Sequence, residues 1–323
     1  MSRIAVVLFN LGGPDRPESV EPFLFNLFND PAIIGLAWPL RPVLARVISR
    51  RRAPLAREIY ENIGGGSPLL GLTRDQASAL ETRLSQGGDT VRVFVSMRYW
   101  HPMSDETALL VHDFGPDEVV LLPLYPQYST TTTASSLKDW RRAAAAAKLA
   151  APSREICCYP TEEGLIEAQA ELVLKGLREA AEKCSAVRIL FSAHGLPKRV
   201  VDKGDPYPAQ IGETANAVIG AIIAATGEAE PGWVVCYQSR VGPLEWIGPS
   251  IEDELKRAAQ DGVGVVVVPI AFVSEHSETL VELDIEYRKV AADLGLPEYV
   301  RVPAVGCHPK FIEGLARLVG DAK

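Results

Sequence analysis

Eight short apolar runs, at positions 4–9, 91–95, 119–122, 155–158, 187–191, 233–236, 265–268 and 300–302, constrain this chain more than any other feature. Most are continuous in Val, Ile and Leu rather than alternating with polar residues, and segments with helical periodicity separate them. A continuous apolar run marks a strand covered on both faces, as in a parallel sheet. Strands that alternate with helices build βαβ units. The pattern predicts an α/β protein of two similar Rossmann-like domains, each a four-stranded parallel sheet flanked by helices.

The halves align in the same order at four anchors. Leu8-Phe9-Asn10 to Gly13-Pro14 matches Leu190-Phe191-Ser192 to Leu196-Pro197, and Ser96-Met97-Arg98 matches Gln238-Ser239-Arg240. Leu122-Pro123-Leu124 matches Val268-Pro269-Ile270, and Leu165-Ile166-Glu167 matches Phe311-Ile312-Glu313. Three anchors share nearly one offset, while the first is larger by about 40 residues, so a tandem duplication with an insertion in the first half is expected. The expected domains are residues 1–153, with the insertion at about 20–63, and residues 154–323. An Ala-rich helix ending near Pro152 marks the approach to the boundary.

A chain of 323 residues is long enough for two ordinary domains. A net charge of −8 without a basic stripe excludes nucleic acid as the main partner. Five cysteines with no C-x-x-C pair point to a reducing cytoplasm. The amino terminus meets Gly12-Gly13-Pro14 too soon for a signal peptide, and no run reaches the roughly 18 apolar residues of a membrane span. The expectation is a cytoplasmic protein, soluble or at most peripheral on the inner face of the membrane.

Candidate chemistry gathers at two strand ends, because open parallel sheets bind ligands at the carboxyl ends of their strands. The run at 187–191 opens into Ser192-Ala193-His194-Gly195-Leu196-Pro197, and the run at 265–268 leads to Ser274-Glu275-His276-Ser277-Glu278. Read as an α-helix, the following segment sets Glu278, Glu282 and Glu286 on one face at i, i+4 and i+8. Like charges so placed repel, which points to metal or proton handling; the other reading is a solvated face partly neutralised by Arg288 and Lys289. His101, His112 and His308 read as ordinary structural histidines. There is no H-E-x-x-H and no nucleophile-elbow arrangement, so zinc-protease and hydrolase readings are poor.

The insertion holds ten uncharged residues at 31–40, followed by Arg41, Arg46 and Arg50-Arg51-Arg52. Such a segment suits a lip for a flat apolar ligand with acidic groups or for an anionic membrane surface; the alternative is a helical hairpin packed on its own domain. Ile63-Gly64-Gly65-Gly66-Ser67-Pro68 fits no nucleotide-binding fingerprint and reads as a turn, or as a loop that lets backbone approach a ligand. The hydroxyls from Tyr125-Pro126-Gln127-Tyr128-Ser129 to Thr133 lie at the third strand's end, as a cap for the next helix or as part of a site.

These motifs together resemble the ferrochelatase family, enzymes that insert ferrous iron into a porphyrin. The resemblance runs nearly end to end, through Leu11-Gly12-Gly13-Pro14, the Gly64 to Pro68 loop, Arg98-Tyr99 with His101-Pro102, Tyr125 to Ser129, Ser192 to Pro197 and Gly204-Asp205-Pro206-Tyr207-Pro208. It continues through Val241-Gly242-Pro243 with Trp246 and Gly248-Pro249, and through His276-Ser277-Glu278-Thr279-Leu280 to Glu282-Leu283-Asp284.

The resemblance implies two Rossmann-like domains around a porphyrin cleft and insertion of Fe²⁺ into protoporphyrin IX, the terminal step of heme biosynthesis, with release of two protons. It implies His194, Glu278, Glu282 and Glu286 as catalytic residues, with His194, Glu278 and His276 meeting the metal. Ile33, Ile34, Leu36, Arg98, Tyr99, Ser129 and Trp246 would contact the porphyrin. Thr130 stands where cluster-bearing relatives have a cysteine, and the chain stops soon after Cys307, so no iron-sulfur cluster and no tightly bound cofactor are expected. The alternatives are a coproporphyrin III ferrochelatase, a cobalt chelatase, or a non-catalytic tetrapyrrole or metal carrier.

Overall fold

The computed structural model describes residues 2–240 and 244–321 and contains two four-stranded sheets. The strands are β1 (Arg3–Asn10), β2 (Thr90–Met97), β3 (Glu118–Pro123), β4 (Ser153–Glu155), β5 (Val187–His194), β6 (Gly232–Gln238), β7 (Gly264–Pro269) and β8 (Tyr299–Arg301). The orders are β2-β1-β3-β4 and β6-β5-β7-β8, with every neighbouring pair parallel. In each half the first strand lies inside the sheet and the fourth at its edge. That shared order supports the duplication read from the sequence.

Burial explains which runs became central. Residues Ile4 to Phe9 of β1 are all buried. Ala5, Val7 and Phe9 join the cluster of Leu137 and Trp140, with the Phe9 and Trp140 rings edge-on at 5.8 Å. In the second sheet Ile189, Phe191 and Ala193 pack with Val173, Ile211 and Val218, while Leu190 faces Leu255, Leu283 and Tyr287. Alternation along β5 thus serves two apolar faces.

One strand was displaced from its apolar run. The fourth ladder holds Ser153–Glu155, not residues 155–158, pairing Val119 with Ser153 and Leu121 with Glu155. Ile156 still donates to the Leu121 carbonyl at 2.9 Å, but Cys157 and Cys158 run beyond it. An edge strand takes its register from its single neighbour and tolerates charged residues, so hydrophobicity misplaces it.

The chain forms two compact units. One runs to Cys158 and takes in the chain from Leu315, where Arg154 donates to the Val319 carbonyl at 3.1 Å; the other comprises Tyr159–Gly314. The insertion is a helical hairpin of helices Val20–Phe28 and Leu40–Glu61. Val20, Phe23, Leu24, Ala53 and Tyr60 pack with Tyr99 inside it, while residues 35–40 at its turn are exposed. The arms of the hairpin are therefore packed, and its turn is open to solvent.

At Gly66 the glycine loop closes on protein, while Gly64 faces open space. A Cβ on Gly66 would lie 2.5 Å from the Asp15 carbonyl oxygen, and one on Gly13 would lie 2.6 Å from Ser67. Ser67 donates to the Pro14 carbonyl at 2.7 Å, so the two glycine motifs are halves of one contact.

Candidate active site

The second unit's chemistry is assembled where β5 and β6 end. His194 is the last residue of β5 and pairs in register with Gln238, the last of β6, while Gly195 donates to the Gln238 carbonyl at 2.9 Å. A Cβ on Gly195 would lie 3.3 Å from the Trp246 ring, so glycine lets that indole pack against the strand end. Of the motif that includes Trp246, residues 241–243 lie outside the described residues.

The acidic segment Glu278–Tyr287 is a π-helix, not the α-helix expected from its spacing. A π-turn bonds i to i+5 and is usually sustained by outside partners at functional sites. Such partners are present: Gln238 Nε2 donates to the Glu278 carbonyl at 3.0 Å and Tyr299 to the Leu283 carbonyl at 2.8 Å. Arg301, almost fully buried, grips Asp284 within the helix and Glu275 before it, the latter at 2.6 Å.

The π-helix delivers Glu278 to His194, whose Nδ1–H donates to Oε2 at 2.8 Å. Ser239 links this pair to Glu282, its hydroxyl lying 3.2 Å from Glu278 and 2.5 Å from Glu282. Glu282 also accepts from the Ser239 main-chain N–H at 2.8 Å, from Gln238 Nε2 at 3.1 Å and from the Tyr287 hydroxyl at 3.2 Å.

Electrostatics separates the two carboxyls. Burial disfavours the Glu278 carboxylate, but the His194 charge and hydrogen bond outweigh it and bring Glu278 down to about 2. Burial and then the Glu278 charge push Glu282 above the ordinary carboxyl range. Burial also disfavours the His194 imidazolium, yet the Glu278 charge wins and raises the ring above its ordinary value. An acid and a base set apart in one cluster are what proton transfer requires. With Nδ1 held by Glu278, Nε2 is the His194 nitrogen without a hydrogen-bond partner among the described residues.

His276 and Glu286 stand outside this cluster. The His276 ring lies edge-on to Phe272 at 4.5 Å, its Nδ1 accepts from the Glu278 main chain at 3.1 Å, and burial lowers its pKa. Glu286 is exposed, and its side chain has no hydrogen bond or ion pair among the described residues. Among the described residues no three His, Cys, Asp or Glu side chains form a group able to hold a metal. The nitrogen and oxygen donors that meet directly are His194 and Glu278.

In the first unit, Arg98 and Tyr99 meet at Asp30. Arg98 donates to Asp30 Oδ2 at 2.7 Å and to Ser135 Oγ at 2.7 Å, and the buried Tyr99 hydroxyl donates to Asp30 Oδ2 at 2.9 Å. Tyr99 is 0 % exposed, so any effect it has on a ligand is indirect. Ser129 is likewise buried, accepting from the Thr131 main chain at 3.1 Å. Ile33 and Ile34 are half-buried and Leu36 is exposed in the turn of the hairpin.

Asp30, Ser135, Gln238 and Ser239 join these clusters although the sequence does not mark them as site candidates. Gln238-Ser239 is one of the duplication anchors, and its position at a strand end is the available signal. Asp30 is marked only by the Asp-Pro step that ends a helix.

The two four-stranded parallel sheets define an α/β fold of chelatase architecture. It aligns over its whole length with the SirB chelatase from Bacillus subtilis, at a TM-score of 0.54 and 11% identity and covering 96% of that chain. CbiX, a terminal enzyme of siroheme biosynthesis in denitrifying bacteria, aligns at a TM-score of 0.51 and 14% identity, with 99% of both chains covered. Sequence similarity is far higher elsewhere. The chain is 54% identical to a Caulobacter vibrioides ferrochelatase across 99% of its length and 90% of that protein. It is 55% identical to the Phenylobacterium zucineum ferrochelatase, covering 97% and 90% respectively.

The ferrochelatase family model matches residues 3–323, and the chain belongs to that family. It is therefore a lyase of heme biosynthesis that inserts metal into a porphyrin.

Proposed function

We propose that this enzyme inserts Fe²⁺ into protoporphyrin IX, with His194 as the group that meets the pyrrole nitrogens. The observation carrying this reading is the Nδ1–Glu278 hydrogen bond of 2.8 Å, which turns the lone pair of a neutral His194 to Nε2. Each pyrrole N–H bond breaks heterolytically; the electron pair stays on nitrogen to bind iron, and the proton passes to His194. Iron enters and leaves the reaction as Fe²⁺. Contacts of 2.8, 3.2 and 2.5 Å from His194 through Glu278 and Ser239 to Glu282 offer the proton a way out. A set of nitrogen and oxygen donors without thiolate holds Fe²⁺ moderately and can release it to the ring.

The lip favours protoporphyrin over the more carboxylated coproporphyrin, because Leu36, Trp38 and Leu40 expose aliphatic and aromatic surface. His276 serves this scheme through its bond to the Glu278 main chain rather than as a third ligand. Thr130 at the first cluster position supports an enzyme without an iron-sulfur cluster.

A peripheral membrane location rests on a separate observation. Leu40, Val43, Leu44 and Val47 expose an i, i+3, i+4, i+7 stripe on helix Leu40–Glu61, beside Trp38 at 77 % exposure and Arg41, Arg50, Arg51 and Arg52. An apolar stripe flanked by arginines suits the surface of an anionic bilayer. Among the described residues no helix is long and apolar enough to cross a membrane.

Initial rates of Fe²⁺ and Co²⁺ insertion into protoporphyrin IX and coproporphyrin III test the assignment. The highest kcat/KM is expected for Fe²⁺ with protoporphyrin. Preference for coproporphyrin would overturn the ring assignment, preference for Co²⁺ the metal, and tight binding without turnover would make the protein a carrier.

A further inference from the structure

The first unit contains a buried carboxylate that the reaction scheme does not use. Asp30 is 4 % exposed at the end of helix Val20–Phe28, immediately before the lip. Its Oδ2 accepts from Arg98 at 2.7 Å, from Tyr99 at 2.9 Å and from the Ser135 hydroxyl, and its Oδ1 accepts from the Ala32 main chain at 2.8 Å. Its carbonyl accepts from the N–H groups of Ile33 and Ile34, at 3.1 and 2.9 Å. One residue thus ties the first turn of the lip to β2's end and to helix Thr133–Ala146.

Arg98 is committed by the same contacts. Its Nη2 faces Asp30, its Nε donates to Ser135, its Nη1 lies 3.9 Å from Asp139, and its guanidinium sits 5.0 Å above the Tyr99 ring. Its charge is neutralised within the unit, and its planar fork spreads over two partners, Nη2 on the Asp30 carboxylate and Nε on the Ser135 hydroxyl. Surface ion pairs contribute little, but a buried carboxylate surrounded by four donors is held in one geometry.

We propose that Asp30 is the positioning residue of the porphyrin lip, fixing the direction in which Ile33, Ile34 and Leu36 leave the helix, with Arg98, Tyr99 and Ser135 as its latch. Arg98 and Tyr99 then influence the porphyrin through the lip. This rests on the reading of residues 31–40 as the ring-binding lip.

Steady-state kinetics of Asp30→Asn with Fe²⁺ and protoporphyrin IX tests the inference. A latch acting only on ring binding raises KM about tenfold and leaves kcat within about twofold, the pattern of lost uniform binding. Ser135→Ala removes one latch donor and should raise KM in the same direction by less; it decides the matter if Asp30→Asn does not fold. A fall in kcat at unchanged KM would overturn the proposal. The Ile33→Ser/Ile34→Ser double variant separates the two layers. If it raises KM while the Asp30 and Ser135 variants do not, the latch is wrong and the lip stands; if none raises KM, the lip reading itself fails.

Discussion

Ser239 holds Glu282 with its hydroxyl at 2.5 Å and its main-chain N–H at 2.8 Å, from a left-handed backbone position at φ 61°. Such a conformation costs a non-glycine residue about 1–3 kcal/mol and persists where surrounding contacts hold it. Here charge-assisted hydrogen bonds to Glu282 offset the strain. Ser239→Ala should slow metal insertion while changing urea stability by only about 1 kcal/mol. Ser239→Gly should be as slow as the alanine variant but more stable than it by about 1 kcal/mol, because glycine accepts the backbone angle. A glycine variant less stable than alanine would show that the angle carries no strain.

The imidazole of His194 should titrate above its ordinary 6.5 in the free enzyme, since the Glu278 carboxylate favours the imidazolium. Its part of the pair's stability is fully present below pH 6.5 and is lost as pH rises through the elevated value. Glu278 contributes in the opposite sense, fully above its ordinary 4.5 and lost as pH falls toward about 2. The stability difference between wild type and Glu278→Gln should therefore be largest between pH 4.5 and 6.5. NMR titration of His194 checks the mechanism directly: its pKa should drop in Glu278→Gln, and an unchanged value would remove Glu278 as the cause.

The acidic segment should be graded in effect. Glu278→Gln removes the partner of His194 and should lower kcat by about 100-fold or more, in the range of general acid–base contributions. Glu286→Gln alters an exposed carboxylate without a partner among the described residues and should leave kcat within about threefold, with stability changed by less than about 0.5 kcal/mol. Equal losses at the two positions would argue against a route ending at Glu282.

Lip substitutions should divide by burial. Leu36→Ser changes an exposed side chain and should weaken protoporphyrin binding at unchanged melting temperature. Ile33 is half-buried against the cluster that contains Val20, Phe23 and Tyr60, so Ile33→Ser should also cost about 1 kcal/mol of stability. If Leu36→Ser melts early and binds porphyrin normally, residue 36 belongs to the core and not to a binding surface.

Much of this architecture was legible because central strands must be apolar on both faces, and β1, β3, β5 and β7 announce themselves as runs. The edge strand β4 did not, since Ser153, Arg154 and Glu155 are placed by the hydrogen bonds of β3. At the site, His194 and Glu278 were recognisable from motif and strand-end position. The π-helix was not, because Glu278, Glu282 and Glu286 also suit an α-helical face, and what sustains the wider turn comes from Gln238, Tyr299 and Arg301, distant in sequence. Asp30 was invisible for the same reason: its partners Arg98 and Ser135 are brought to it only by the fold.

The central claim is that His194 provides the nitrogen that meets the pyrroles while other parts of the protein hold the ring. The most direct measurement pairs protoporphyrin binding by fluorescence quenching with single-turnover Fe²⁺ insertion in His194→Ala. Removing the imidazole deletes Nε2 but leaves the lip, Trp246 and Glu282 in place. Binding within about threefold of wild type and an insertion rate reduced by about 1000-fold or more are the predicted results. Near-normal insertion in a folded His194→Ala enzyme would contradict the account.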